Sequence, residues 1–97
     1  MRNVLSTLEF DEWLDRQSTA YKAKVLARIT NMERGNYGDC VPVGQGVSES
    51  RIHWGPGIRL YFIERGVNFV ILLGGGDKST QQQDINAALA LAPTVMQ

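Results

Sequence analysis

The stretch Ile52-His53-Trp54-Gly55-Pro56-Gly57-Ile58-Arg59-Leu60-Tyr61-Phe62 constrains the fold more than any other part of the chain. Apolar and polar side chains alternate on both sides of a Gly-Pro-Gly break, the pattern of two antiparallel strands with one face turned to a core. Ile52, Trp54, Ile58, Leu60 and Phe62 must share that face, because a slip of one residue would carry one strand's apolar set into water. A connection made of Gly55, Pro56 and Gly57 meets this condition and sets Ile52 opposite Leu60. The other face then carries Arg51 across from Tyr61 and His53 across from Arg59, with Glu49 further along. Side chains paired on one face stand about 5 Å apart at Cβ. Two guanidiniums, an imidazole and a phenol are thus expected on one patch, a set of groups suited to handling a phosphate.

The rest of the chain reads as helices first and strands second. Arg2 to Leu5 can open with a short strand. Ser6 and Glu9 have capping-box spacing ahead of Phe10, Trp13, Leu14 and Gln17 on one helical face. Ser18 can cap a second helix, in which Tyr21, Val25, Ile29 and Met32 recur every three to four residues, and Gly35 is a suitable stop. The two helices read as an antiparallel hairpin. Gly35 to Gly46 is rich in Gly, Asn, Asp and Pro and reads as a loop. Strands follow over Val47–Trp54, Ile58–Glu64 and Asn68–Leu73, with Arg65-Gly66 as the second hairpin turn. Gly74-Gly75-Gly76 reads as a sharp exit from the sheet. A last helix begins near Thr80, places Ile85, Ala88, Leu89 and Ala92 on one face, and is expected to end at Pro93. The expected fold is α+β: a helical hairpin packed on a small antiparallel β-meander, with a C-terminal helix.

At 97 residues the chain is the size of one domain, 1–97, with one core. One cysteine, Cys40, excludes an internal disulfide and a thiolate zinc site, and no metal or cofactor is expected. The longest apolar run, Phe69 to Leu73, is far too short to span a bilayer, and no secretory leader is visible, which points to the cytoplasm. Ten Lys+Arg balance ten Asp+Glu. Nucleic-acid binders usually carry an excess of positive charge, so any basic surface here must be made locally by folding. Gly74-Gly75-Gly76-Asp77-Lys78-Ser79-Thr80 invites comparison with a P-loop, but Asp77 stands where the glycine before the lysine belongs. Trp13 and Trp54 are expected to pack against the core.

Several stretches carry a resemblance. These are Phe10-x-x-Trp13-Leu14, Arg34-Gly35-Asn36-Tyr37-Gly38-Asp39, Val43-Gly44-x-Gly46-Val47-x-Glu49-x-Arg51-Ile52, Gly55-Pro56-Gly57-x-Arg59-x-Tyr61-Phe62 and Leu72-Leu73-x-Gly75-Gly76-Asp77-Lys78-Ser79-Thr80-Gln81-x-x-Asp84-Ile85. In order and spacing the chain resembles the phage-derived, HigB-like "addiction module killer" branch of the RelE/ParE toxin superfamily. The resemblance implies a type II toxin: an mRNA interferase, which is a ribosome-dependent endoribonuclease that inhibits translation. It implies metal-independent attack of a ribose 2′-hydroxyl on the scissile phosphate. It also implies a cognate antitoxin, usually a helix-turn-helix DNA-binding protein.

Such a reaction needs a base near the 2′-hydroxyl, cations on the phosphorane and an acid for the leaving oxygen. By the resemblance, Arg59 belongs on the phosphate, with Arg51 as a second clamp and Lys78 on the backbone or leaving group. Tyr61 is expected to stack on a base or relay a proton. His53 and Glu49 are the two candidate bases, and a salt bridge to Arg51 or Arg59 is the plainer role for Glu49. Lys22, Lys24 and Arg28 on the second helix form a candidate RNA- or ribosome-binding face, or simply a solvated one. Two other readings share the fold: a ParE-like inhibitor of DNA gyrase, and a catalytically inert member that binds its antitoxin.

Overall fold

In the computed structural model, which describes residues 1–96, nine segments follow one another. They are β1 (Asn3–Ser6), α1 (Leu8–Asp15), α2 (Thr19–Glu33), β2 (Asp39–Gly44), β3 (Val47–Ile52), β4 (Ile58–Arg65), β5 (Phe69–Gly76), a 3-10 turn (Lys78–Thr80) and α3 (Gln81–Val95). The strands form one sheet in the order β1-β5-β4-β3-β2. All neighbours are antiparallel except β1, which runs parallel to β5. The α+β class and the sequence of helices, strands and final helix agree with the expectation.

The helix boundaries follow local chemistry. The Thr7 side chain, rather than Ser6, caps α1 by accepting the Phe10 N–H, and its own hydroxyl donates to the Leu72 carbonyl at 3.0 Å. Ser18 caps α2 by accepting the Tyr21 N–H. Helix α2 ends at a left-handed Gly35, φ +82°, a conformation that glycine adopts without strain.

Three expectations about the sheet need correction. The segment read as a loop contains β2, which pairs with β3 in spite of Pro42; as an edge strand it tolerates a missing donor. The glycines 74–76 lie within β5 instead of leaving it. With no side chains they let Trp13 of α1 lie directly against Gly75, and Asp84 and Thr80 against Gly76. Pro93 sits inside α3, which continues to Val95.

The hairpin between β3 and β4 also differs. Ile52 pairs with Ile58, so the connection is His53–Gly57 and not Gly55–Gly57 alone. The Trp54 N–H donates to the Ile52 carbonyl, and the Gly57 N–H to the Trp54 carbonyl, which closes the turn two residues early. A shift of two leaves every side chain on the face the alternation dictates, but changes its partner. Arg51 is opposite Arg59, Glu49 is opposite Tyr61, and His53 belongs to the turn.

Each sheet face is covered. One carries Ile52, Ile58, Leu60, Phe62, Val70 and Leu72 against Phe10, Tyr21, Val25 and Met32 of the first two helices. On the other, Val47, Tyr61, Ile63, Ile71 and Leu73 pack against Ala88 and Ala92 of α3. The face read as open to solvent is thus partly roofed by the last helix. Among the described residues no helix is long and apolar enough to cross a membrane.

Candidate functional site

Beyond the part that α3 covers, the second face of the sheet ends in a charged cluster. Its centre is Glu49 on β3, fully buried at 0% exposure. Glu49 Oε1 accepts from Arg51 Nε at 2.8 Å; Oε2 accepts from the Tyr61 hydroxyl at 2.9 Å and from Gln81 Nε2 at 3.0 Å. Arg59 Nε lies 4.0 Å from Oε2. Burial alone would raise the carboxyl's pKa, but the hydrogen bonds from Arg51, Gln81 and Tyr61 outweigh it and hold Glu49 below its ordinary value. The carboxylate also explains why two arginines can face each other across the strands, an arrangement that like charges alone would oppose.

Arg59 is 8% exposed. Its Nη1 donates to the Gly57 carbonyl at 2.7 Å, while its buried Nε has no hydrogen-bond partner among the described residues. Gly57 is left-handed, φ +80°, and a Cβ there would come within 2.9 Å of Arg59 Nη1 and 3.0 Å of Lys78 Cε. Lys78 and Arg59 thus approach each other across this glycine, one exposed and the other buried. Arg51 is more open, with a third of its side chain accessible.

The structure therefore brings together Glu49, Arg51, Arg59 and Tyr61, and adds Lys78 at the rim. It does not give them the roles expected of all. Tyr61 is 0% exposed beneath α3, so it offers no surface for a base to stack on. Burial and the bond to Glu49 push its phenol well above the ordinary range, and it remains a donor. Glu49 has its carboxylate engaged on both oxygens and is no free base; the salt bridge is its role. His53, expected opposite Arg59, lies in the turn, where Nε2 meets Asp39 Oδ2 at 2.7 Å with 71% of the imidazole side chain exposed. That hydrogen bond is the main cause holding the Asp39 carboxyl below its ordinary value.

The second-helix candidates divide as well. Arg28 Nη1 donates to Ser50 Oγ at 2.7 Å and to the Arg51 carbonyl at 2.8 Å, tying α2 to β3. It is an internal strut and not a free docking cation, and its desolvation lowers its pKa. Lys24 is exposed, with Nζ 5.7 Å from the centre of the Trp54 ring. Lys22 is partly exposed on the same helix.

Two participants were missed in the sequence. Asp39 lies in the stretch expected to be a loop, where Gly38, Pro42 and Gly44 mask the strand it opens. Gln81 stands in the first turn of α3, where only the apolar periodicity was considered. Among the described residues no group of three His, Cys, Asp or Glu is placed to hold a metal ion.

Fold and cluster together define a small α+β domain with a buried carboxylate-and-arginine network at the end of one sheet face. No family model matches the chain. It is similar to a Haemophilus influenzae protein described as uncharacterized, 46% identical over 90 residues, covering 92% of this chain and 91% of the relative. The chain belongs to the same family as that protein.

Proposed function

We propose that this protein is the toxin of a type II toxin–antitoxin pair, of the RelE/ParE kind, and cuts messenger RNA on the ribosome in the cytoplasm. One observation carries the reading: Arg51, Arg59 and Lys78 gather at one end of the sheet around Gly57 and Glu49, in a chain with no net charge. The resemblance of the motifs and the helices-on-sheet order support it. The cognate antitoxin would be a helix-turn-helix protein.

In this reading the 2′-oxygen attacks phosphorus, the bond to the 5′-oxygen breaks, and a cyclic phosphate and a 5′-hydroxyl result. Arg51 and Arg59 neutralise the charge that grows on the non-bridging oxygens. Lys78, exposed at the rim, stands nearest solvent and serves the leaving oxygen. His53, oriented by Asp39, is the base. Glu49 holds the two arginines in place and does not touch the substrate.

A second reading, a member that acts by binding alone, is favoured by the burial of Tyr61 under α3 and of Glu49 within its own hydrogen-bond network. Controlled expression followed by mapping of messenger 5′ ends separates the two. Wild type is compared with Lys78→Ala, a change at an exposed residue, and with Arg59→Ala, whose folding is checked by thermal melting. New ends inside translated frames that disappear in Lys78→Ala support the nuclease. Intact messages with normal growth favour the binding-only member, and an SOS response with intact messages points to gyrase.

A further inference from the structure

Trp54 is not used by the cluster just described, and its position at the hairpin tip is unusual for a residue of its size. The turn takes it out of the strand pairing: its carbonyl accepts the Gly57 N–H at 3.1 Å, and β3 has already ended at Ile52. Its indole is only partly buried. Tyr21 meets it edge-on, with ring centres 6.1 Å apart and planes at 84°. Trp13 meets Tyr21 in the same way at 5.8 Å, and Phe10 meets Trp13 at 5.5 Å, so a row of three aromatic rings backs the indole. Tyr21 holds the ring, and the exposed side chain of Lys24 lies over it.

Cations surround this tip. The Lys24 ammonium lies 5.7 Å from the centre of the Trp54 ring. Gly57 closes the same turn, and its carbonyl takes the Arg59 Nη1 while Lys78 passes beside it. The indole packs with the core on the helical side, and the Gly57 backbone donates to the Trp54 carbonyl while accepting from Arg59 Nη1. The nearby carboxylates are already engaged: Asp77 accepts from the Ser79 backbone N–H and hydroxyl, and Asp39 meets His53. A rigid aromatic plane flanked by lysine and arginine is the combination that binds single-stranded nucleic acid, the plane taking a base and the cations the backbone.

We infer that Trp54 is a nucleobase-stacking subsite on which a base displaces the exposed Lys24 side chain now lying over the indole, and that a single strand bound at the hairpin tip directs the neighbouring phosphate toward Lys78 and Arg59. This rests on the RNA reading of the same end of the sheet, but asks more of it. The chain contains two tryptophans, so two indole N–H signals are expected in a ¹H–¹⁵N spectrum, and Trp54→Phe identifies the second.

The test titrates the protein with a trinucleotide of 2′-O-methyluridine, which lacks the attacking hydroxyl. An abasic trimer of equal charge is titrated alongside. The inference predicts that the Trp54 signal moves with the first probe and that the abasic trimer binds wild type about tenfold more weakly, in line with the ~1–3 kcal/mol of a stacked base. Trp54→Leu should lose that advantage and Trp54→Phe keep most of it. Equal binding of the two probes to wild type overturns the subsite, whether or not Trp54→Leu folds. If equal binding is nevertheless weakened by Lys78→Ala, the phosphate reading stands without the subsite. Absence of binding by either probe removes both.

Discussion

The two faces of the sheet are built from the same strands and buried by different means. Under α1 and α2 the face is mostly apolar, with aromatic rings filling the space between sheet and helices and a buried Ser50 tied to Arg28 of α2. Under α3 it is divided: Val47, Tyr61, Ile63, Ile71 and Leu73 meet the alanines of the helix, and next to them Glu49 gathers Arg51, Gln81 and the Tyr61 hydroxyl. The first face depends on shape and area. The second depends on a charged group whose every oxygen is occupied, since a buried carboxylate deprived of its partners is costly. A fold of this size keeps such a network at a cost to hydrophobic burial, and the end of the sheet where it lies is also where the exposed cations collect.

The largest effect expected from this contrast is at Glu49. Glu49→Ala leaves the Arg51 guanidinium and the Tyr61 hydroxyl without their acceptor, removes the carboxylate beside Arg59, and should cost about 3–5 kcal/mol in chemical denaturation. That is a large part of the ~5–15 kcal/mol that stabilises a typical domain. On the other face Leu60→Ala should cost about 2–5 kcal/mol through lost contact and the cavity left behind. The two variants then differ in their response to acid. Glu49 has a folded-state pKa below its ordinary 4.5, so its contribution is fully present above that pH and fades as the pH falls through the folded value. Wild type and Leu60→Ala should both lose stability on acidification below about pH 4.5, whereas Glu49→Gln should show a shallower loss. Parallel pH profiles for all three would erase the distinction between the faces.

The smallest effect concerns Asp84, on α3 at the margin of the network. Burial, followed by the nearby Asp77 charge, raises its pKa against the hydrogen bond from Thr80. A raised carboxyl favours folding when protonated and opposes it once ionised. Asp84→Asn should therefore raise the thermal midpoint slightly at pH 7 and leave it unchanged at low pH. A fall at pH 7 would show that the helix-terminal charge matters more there than its desolvation.

Much of the first face was legible from alternation and helical periodicity, because burial of Ile52, Ile58, Leu60 and Phe62 allows one parity only. The same parity placed Glu49, Arg51, Arg59 and Tyr61 together on the second face. What alternation does not encode is the length of the turn. Two positions of slippage preserve parity, so the replacement of the Arg51–Tyr61 pair by Arg51–Arg59 left no trace in the pattern. Nor did it show that α3 would lie on this face, since Ala88 and Ala92 are equally suited to packing elsewhere. The strand at Asp39–Gly44 was hidden by the flanking Gly38, by Gly44 and by Pro42, which an edge position permits. The parallel pairing of β1 with β5 joins residues more than sixty positions apart, beyond any local signal.

The most direct examination of the central claim uses purified protein, ribosomes programmed with a defined message, and primer extension across its reading frame. The account predicts new 5′ ends within codons for wild type, and none for Lys78→Ala at unchanged thermal stability. A message that stays intact with folded wild-type protein, or one cut equally by Lys78→Ala, would contradict the assignment of this charged sheet end to RNA cleavage.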